Sequence, residues 1–423
     1  MSKKPEPNPG ALVASGPKAL VVANRQARLA GQALARIEQE RYIEFFATHP
    51  EASKAFIQGV SAYYPLTESM IECYCDLLNW YCIGFNKALP WSPVLIDRYR
   101  DRWCWGSWMS RNQSLPWSQA LIDRHVDQLD WMGLSANEAL PWTDAFIKRF
   151  AKYWDWESLS FNEALPWSAE LIESYVPYWD WCLLSANEKL PWNNELIERF
   201  SKYLDWQALC GNPALPWSES MFAQYSDLLD WKALSGNPGL PWSENLIERF
   251  KESWSWDQIS ANPGIPWSAA LIDRYSPRIA WWELSWNMGL PWCEGLLYRY
   301  ASLWDWKYLS LNPALPWTEA LIDRHIDQWD WGRLSSVETL PWSEALIEKY
   351  AERWMWKMSS DHGETIWRDS HDGLSGNRAL PWSESLIERY ADRWDWRFLP
   401  TSALPAVLSR WSEASIRAVM DRM

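Results

Sequence analysis

Residues 167–191 read W-S-A-E-L-I-E-S-Y-V-P-Y-W-D-W-C-L-L-S-A-N-E-K-L-P, and at Trp192 the same pattern starts again. The Pro-Trp pair sets the period. Its tryptophans are Trp91, Trp117, Trp142, Trp167, Trp192, Trp217, Trp242, Trp267, Trp292, Trp317, Trp342 and Trp382, nearly all 25 residues apart; the first step is 26 and the last is 40. A weaker copy precedes them, with Leu66 in the Trp place, so roughly thirteen units follow one another. A fixed short period marks units that bury their apolar faces only by stacking on their neighbours.

With the Trp of Pro-Trp as position 1, position 2 is Ser, Thr or Asn in every copy except the one with Cys293. These side chains cap helix N-termini. Trp at position 1 and Ile at position 6 then stand as a hydrophobic staple. Leu171, Ile172, Tyr175 and Trp179 follow helical spacing, which predicts a long helix over positions 3 to 13. Position 14 is usually Asp, as in Asp130, Asp155, Asp180, Asp205, Asp230, Asp305, Asp330 and Asp395, and predicts the cap of a second, shorter helix. Asn at position 21, often followed by Pro, predicts a left-handed helix end. Val337 takes that place once.

The expected fold is therefore all-α: an elongated right-handed α-solenoid of about thirteen 25-residue helix-turn-helix repeats with terminal helical caps. A horseshoe with a short strand near positions 18 and 19 and a ladder of Asn is the competing reading, but the Leu spacing does not fit it. The architecture resembles short α-solenoids in general. The 33- and 34-residue periods of ankyrin and tetratricopeptide arrays do not fit, and neither signature is present. Residues 1–20 read as a disordered tail, 21–63 as an N-terminal helical cap, 64–403 as the repeats with an insertion at 359–373, and 404–423 as a C-terminal cap.

The chain carries 38 Trp, of which 33 recur in register at positions 1, 13 and 15 and read as core. The charged pair at positions 7 and 8, as in Asp123/Arg124 and Glu248/Arg249, reads as a ladder linking neighbouring repeats.

The net charge is −14, and residues 64–423 alone carry 32 basic against 49 acidic residues, or −17. That balance disfavours a nucleic-acid groove and an anionic membrane surface, and favours basic partners. The seven cysteines show no metal spacing and no register, which predicts free thiols in a reducing, cytoplasmic setting. No run of about 18 apolar residues exists. The run from Lys18 to Arg36 has the composition of a transit peptide, the weaker reading.

In a solenoid the framework recurs and the binding surface varies. Positions 12, 16, 17 and 20 vary most, and they place Tyr153, Tyr178, Tyr203, Trp282, Glu283, Trp286 and Tyr308 as the candidate partner-binding residues. No nucleophile motif, phosphate loop or HExxH appears, so no catalytic residue, metal ligand or cofactor is assigned. The insertion gathers Asp361, His362, Glu364, Asp369, His371 and Asp372, ligands that hard or borderline metals accept. The leading expectation is a non-enzymatic protein- or peptide-binding scaffold. The alternatives are an acidic inhibitor of a basic enzyme or nucleic-acid-binding protein and, below it, a metal-dependent protein centred on the insertion.

Overall fold

The structure is a computed structural model that describes residues 17–357 and 373–423. Among the described residues there are 30 helices and no strand. Each repeat is a pair of short helices, here called A and B, so the α-solenoid is the observed fold. In the repeat of Trp167, helix A is Ala169–Ser174 and helix B is Trp181–Ala186. Both caps are where the side-chain chemistry puts them. The Ser168 hydroxyl accepts from the Leu171 amide and the Asp180 carboxylate from the Leu183 amide.

Helix A is shorter than its apolar stripe suggests, ending near position 8 instead of position 13. The stop does not depend on the residue at position 13, since helix A Glu219–Gln224 ends at the same place with Leu229 there, but where Trp stands it ties down the turn. The Trp179 indole N–H donates to the Ile172 carbonyl at 3.0 Å, an oxygen that a continuing helix would need for its own ladder. The same bond recurs from Trp154 to Ile147 and from Trp304 to Leu297. The chain then turns, and Trp179 reaches back over helix A. Its ring lies 5.3 Å from Trp167 and, edge-on, 5.0 Å from Trp156 of the preceding repeat. The other two indoles are also satisfied by backbone: Trp167 donates to the Asn162 carbonyl and Trp181 to that of Val176. Position-13 tryptophans are buried, whereas those at positions 1 and 15 range from buried to half-buried. The register does define the packing, but only position 13 is core throughout.

The Asn at position 21 does not adopt the left-handed end that its residue type suggests. Asn187 has φ −70 and ψ 117, an extended backbone. Its side chain is needed elsewhere. The amide Nδ2 donates to the carbonyls of Ser160 at 3.1 Å and Asn162 at 3.5 Å, and Oδ1 accepts from the Lys189 amide at 2.9 Å. Ser at position 19 is the second rail. Ser185 Oγ donates to the Trp181 carbonyl and accepts from the Asp205 amide one repeat on. These Ser and Asn side chains are buried, and they link each B helix to the next. The ladder begins at Ser61, which serves Asn79 and Asn86, and ends at Ser402, which donates to the Ser375 carbonyl.

Gly289 marks how close neighbouring turns come. A β-carbon there would lie 2.3 Å from the Pro263 carbonyl oxygen, whereas Thr339 in the same place donates its hydroxyl to the Pro313 carbonyl.

The described residues divide into two compact units, one formed by 17–53 with 412–423 and the other lying within 54–411. The smaller holds the helix Pro17–Thr48 and the helix Glu413–Met420, joined by Gln39 to Ser415 and by Arg422 to Glu40 and Glu44. The N-terminal helix thus begins four residues before the expected cap, and residues 1–16 of the expected tail lie outside the described residues.

In the larger unit, consecutive B helices approach one another more closely than consecutive A helices. The repeats therefore bend toward the B side at each step. The two ends of this unit also meet, which the repeat pattern does not announce. A β-carbon at Gly59 would lie 2.8 Å from Leu404, the rings of Phe56 and Trp411 are 5.8 Å apart, and the Tyr64 hydroxyl donates to the Trp411 carbonyl at 3.4 Å.

The ladder and the tryptophan hub should dominate stability. Asn237→Ala removes bonds to Cys210, Asn212 and Gly239. It should cost about 2–4 kcal/mol, since it leaves buried carbonyls unpaired. Trp179→Ala should cost about 3–5 kcal/mol through the cavity it leaves. Removing the cap with Ser243→Ala should cost only about 1 kcal/mol. Urea unfolding of the three variants checks this order.

Candidate functional site

The expected contact residues fall into two separate groups. Tyr153, Tyr178 and Tyr203, all at position 12, lie face to face on the position-15 tryptophan of the preceding repeat. Their centroids are 4.7, 5.2 and 5.0 Å from Trp131, Trp156 and Trp181. Lys152 and Lys202 each sit 4.5 Å over the ring of the neighbouring tyrosine. Tyr178 is nevertheless 59% exposed, so the row is at once a cover for half-buried tryptophan and an accessible surface.

Position 12 shows its role in the repeats that lack Tyr. In four of them Arg takes over, while Gln128, Leu228, Ser253, Leu303 and Gln328 stand there in the others. Arg102, Arg278, Arg353 and Arg393 lie 5.4–5.8 Å above Trp80, Trp256, Trp331 and Trp356. Each guanidinium also bridges the preceding repeat: Arg278 donates to the Lys251 carbonyl at 2.9 Å and to the Glu252 carboxylate at 2.7 Å. That bond holds the Glu252 carboxyl below the ordinary range. A planar aromatic and a planar cation thus occupy one place for one reason: each can lie flat on an indole.

Trp282, Glu283, Trp286 and Tyr308 form the second group, on the outward side of two consecutive B helices, Trp281–Trp286 and Trp306–Leu309. Positions 16, 17 and 20 point away from the ladder because positions 18 and 19 point into it. Trp282 and Tyr308 are 5.4 Å apart. Trp282 and Trp286 remain 44% and 42% exposed. Arg333, on the next B helix, lies 5.3 Å over Tyr308. Burial, reinforced by the Asp257 carboxylate, raises the Glu283 pKa. No ring contact joins this group to the tyrosine row among the described residues.

The same B-helix positions expose aromatics and a methionine that the variable-position reading left out. Tyr81, Trp108, Met132 and Phe161 are all exposed there, and Tyr81 packs edge-on against Phe85, which meets Trp108 at 5.9 Å. Their register was a sufficient signal, since Tyr81 and Met132 stand at position 16 like Trp282.

The opposite, A-helix surface is an ion-pair ladder. Position-8 cations reach the carboxylate at position 7 or position 3 of the preceding repeat: Arg124 to Asp97, Arg149 to Asp123, Arg249 to Glu219, Arg274 to Glu244 and Arg324 to Glu294. These pairs are about half exposed and contribute little individually. They do consume most of the charge on that side.

His125 is buried, stacks on Trp105, and bonds Asp97 and Gln128. Cys210 replaces the ladder Ser in one repeat, and burial pushes its thiol pKa up to about 11. Both are packed groups serving the framework. No cluster of three metal-ligating side chains occurs among the described residues. The insertion residues Asp361, His362, Glu364, Asp369, His371 and Asp372 lie outside them. What is described is that the insertion interrupts a B helix: Trp356 is at position 15, and the chain resumes at Gly373, φ +59, with the Leu374 amide donating to the Met355 carbonyl. No described helix is long and apolar enough to cross a membrane.

If position 12 exists to cover an indole, its chemistry can be exchanged. Tyr178→Arg should unfold within about 0.5 kcal/mol of the parent, whereas Tyr178→Ala should cost about 0.5–1.5 kcal/mol, the worth of an aromatic pair. Thermal unfolding distinguishes the two; equal losses would contradict the cover.

Comparison with protein-family models, with curated proteins and with solved structures found no match.

Proposed function

We propose that this protein is a non-enzymatic scaffold that binds other proteins or peptides on the exposed face of its B helices. The carrying observation is the asymmetry between its two sides. On the A side, side chains are paired with one another from repeat to repeat. On the B side, the framework recurs just beneath the surface, while the outward positions vary from Met132 and Phe161 to Trp282, Trp286 and Tyr308 and keep large apolar groups in water. Exposed Trp and Tyr on a rigid support are the side chains that make strong contact points. The ladder holds that support without using positions 16, 17 and 20, so these can change without cost to the fold. The acidic body adds a preference for basic partners, and it speeds their approach.

Site-specific photocrosslinking tests this reading. A benzophenone amino acid placed at Phe161 and Trp286 on the B side should give discrete adducts in a lysate of the source cells. The same group at Tyr298, an exposed aromatic on helix A, should give none. Adducts from Tyr298 alone would contradict the assignment of the surface.

A further inference from the structure

On the B-helix face, two exposed tryptophans and two unpaired carboxylates coincide at Asp257, Trp282, Glu283 and Trp286. Asp257 stands at position 16 of the B helix Trp256–Ala261. Trp282, Glu283 and Trp286 stand on the next, and Tyr308 on the one after. Trp282 and Trp286 are one helical turn apart, so their side chains lie on the same face, and Glu283 lies between them in the chain. Neither Asp257 nor Glu283 makes a hydrogen bond or ion pair among the described residues, in contrast to the carboxylates of the A side.

An unpaired, partly desolvated carboxylate is costly, and a raised pKa is how that cost shows. A cation that arrives from outside would relieve it. The same cation would gain from the indole faces, since a guanidinium or ammonium over Trp is attracted by the ring quadrupole and more so where water is excluded. The surface already contains an example of such a contact: Arg333 lies over Tyr308, and its Nε is 3.5 Å from Asp330. The charged groups nearest in register are Asp257 on the preceding B helix, Lys232 on the one before that, Lys307 beside Tyr308, and Arg333 on the helix beyond. Lys232 stands one repeat before Asp257, and Lys307 and Arg333 stand beyond Trp282, yet none of them forms an ion pair with Asp257 or Glu283 among the described residues.

We propose that Trp282, Glu283, Trp286 and Asp257 form a pocketless docking patch for an arginine or lysine side chain carried by a partner protein. The inference rests on the reading of the B-helix face as the contact surface, and it adds the chemistry of what is recognised there. Glu283 stands in the first turn of its helix without a hydrogen bond or ion pair, so its carboxylate is open to a cation from outside.

The probe is the peptide acetyl-Gly-Arg-Gly-Arg-Gly-amide, titrated calorimetrically into the full-length protein, with the citrulline version as the uncharged control. The arginine peptide should bind saturably and the citrulline peptide at least tenfold more weakly. Glu283→Gln should weaken the arginine peptide tenfold or more while leaving the melting temperature unchanged or slightly higher, because it removes a carboxylate whose burial is unfavourable. Trp282→Ala should abolish binding, and Tyr298→Ala should leave it intact. Since the Glu283 carboxyl takes up its proton at higher pH than an ordinary glutamate, affinity should fall as the solution is acidified from neutrality. Unchanged binding by Glu283→Gln, equal binding of the citrulline peptide, or no saturable binding at millimolar peptide would each overturn the proposal. Crosslinks from Phe161, several repeats away from this patch, would still report on the wider surface, so failure here is distinguishable from failure of the scaffold reading.

Discussion

The hydrogen bonds that run from each buried Asn to the repeat before it are the constraint on which everything else depends. A unit of 25 residues with two helices of about six residues cannot stabilise itself, because helices that short are marginal in water. Each B helix ends in carbonyls that need partners, and the turn after it carries buried amides. Asn at position 21 satisfies both with one side chain, and Ser at position 19 satisfies the cap of the following helix. The bonds cross from repeat to repeat, so they order the array as well as the unit. They also fix the B helices closer together than the A helices, which turns each step the same way.

Tryptophan solves the remaining problem, which is volume. Two short helices leave a wide gap between repeats, and up to three indoles per unit fill it. The indoles of Trp167, Trp179 and Trp181 also end on backbone carbonyls, so these rings are positioned as well as packed. Position 15 is left half-exposed at the edge in most repeats, and in seven repeats position 12 covers the position-15 ring of the repeat before it with Tyr or Arg. Because the core needs are met by positions 1, 5, 6, 13, 15, 18, 19 and 21, the outward B-helix positions are released from structural duty. That release is what permits Trp282 and Trp286 to stand in water, and what makes their presence informative.

Much of this was legible in the residues themselves. The Pro-Trp period defined the unit, Ser168 and Asp180 marked both caps, and the absence of alternating β-branched runs argued against strands. Two features were not legible, for reasons of chemistry. Helix A stops at position 8 or 9 whether position 13 is Trp or Leu, as in Ala169–Ser174 and Glu219–Gln224, and an apolar stripe that runs on past the turn hides that stop. Asn187 is extended, not left-handed, because its side chain has inter-repeat partners that no local rule considers. For the candidate site, register identified positions 16, 17 and 20, and with them Trp282, Glu283, Trp286 and Tyr308. It could not show that Tyr153, Tyr178 and Tyr203 lie flat on tryptophans of the repeat before, because that contact is made only by stacking.

The most direct measurement of the central claim is native-state hydrogen exchange resolved to single amides. The amides at positions 14 and 23, such as Asp180, Lys189, Asp205 and Ala214, donate to the Ser and Asn side chains of the ladder. They should exchange only with unfolding of the array, while A-helix amides exchange sooner by local opening. Thr339 is the internal control: Val337 stands where its Asn acceptor would be, so its amide should exchange faster than Ala314 or Ala379. Ladder amides that exchange as fast as those of the A helices, or a Thr339 as protected as its counterparts, would show that the Ser–Asn spine does not hold the repeats together.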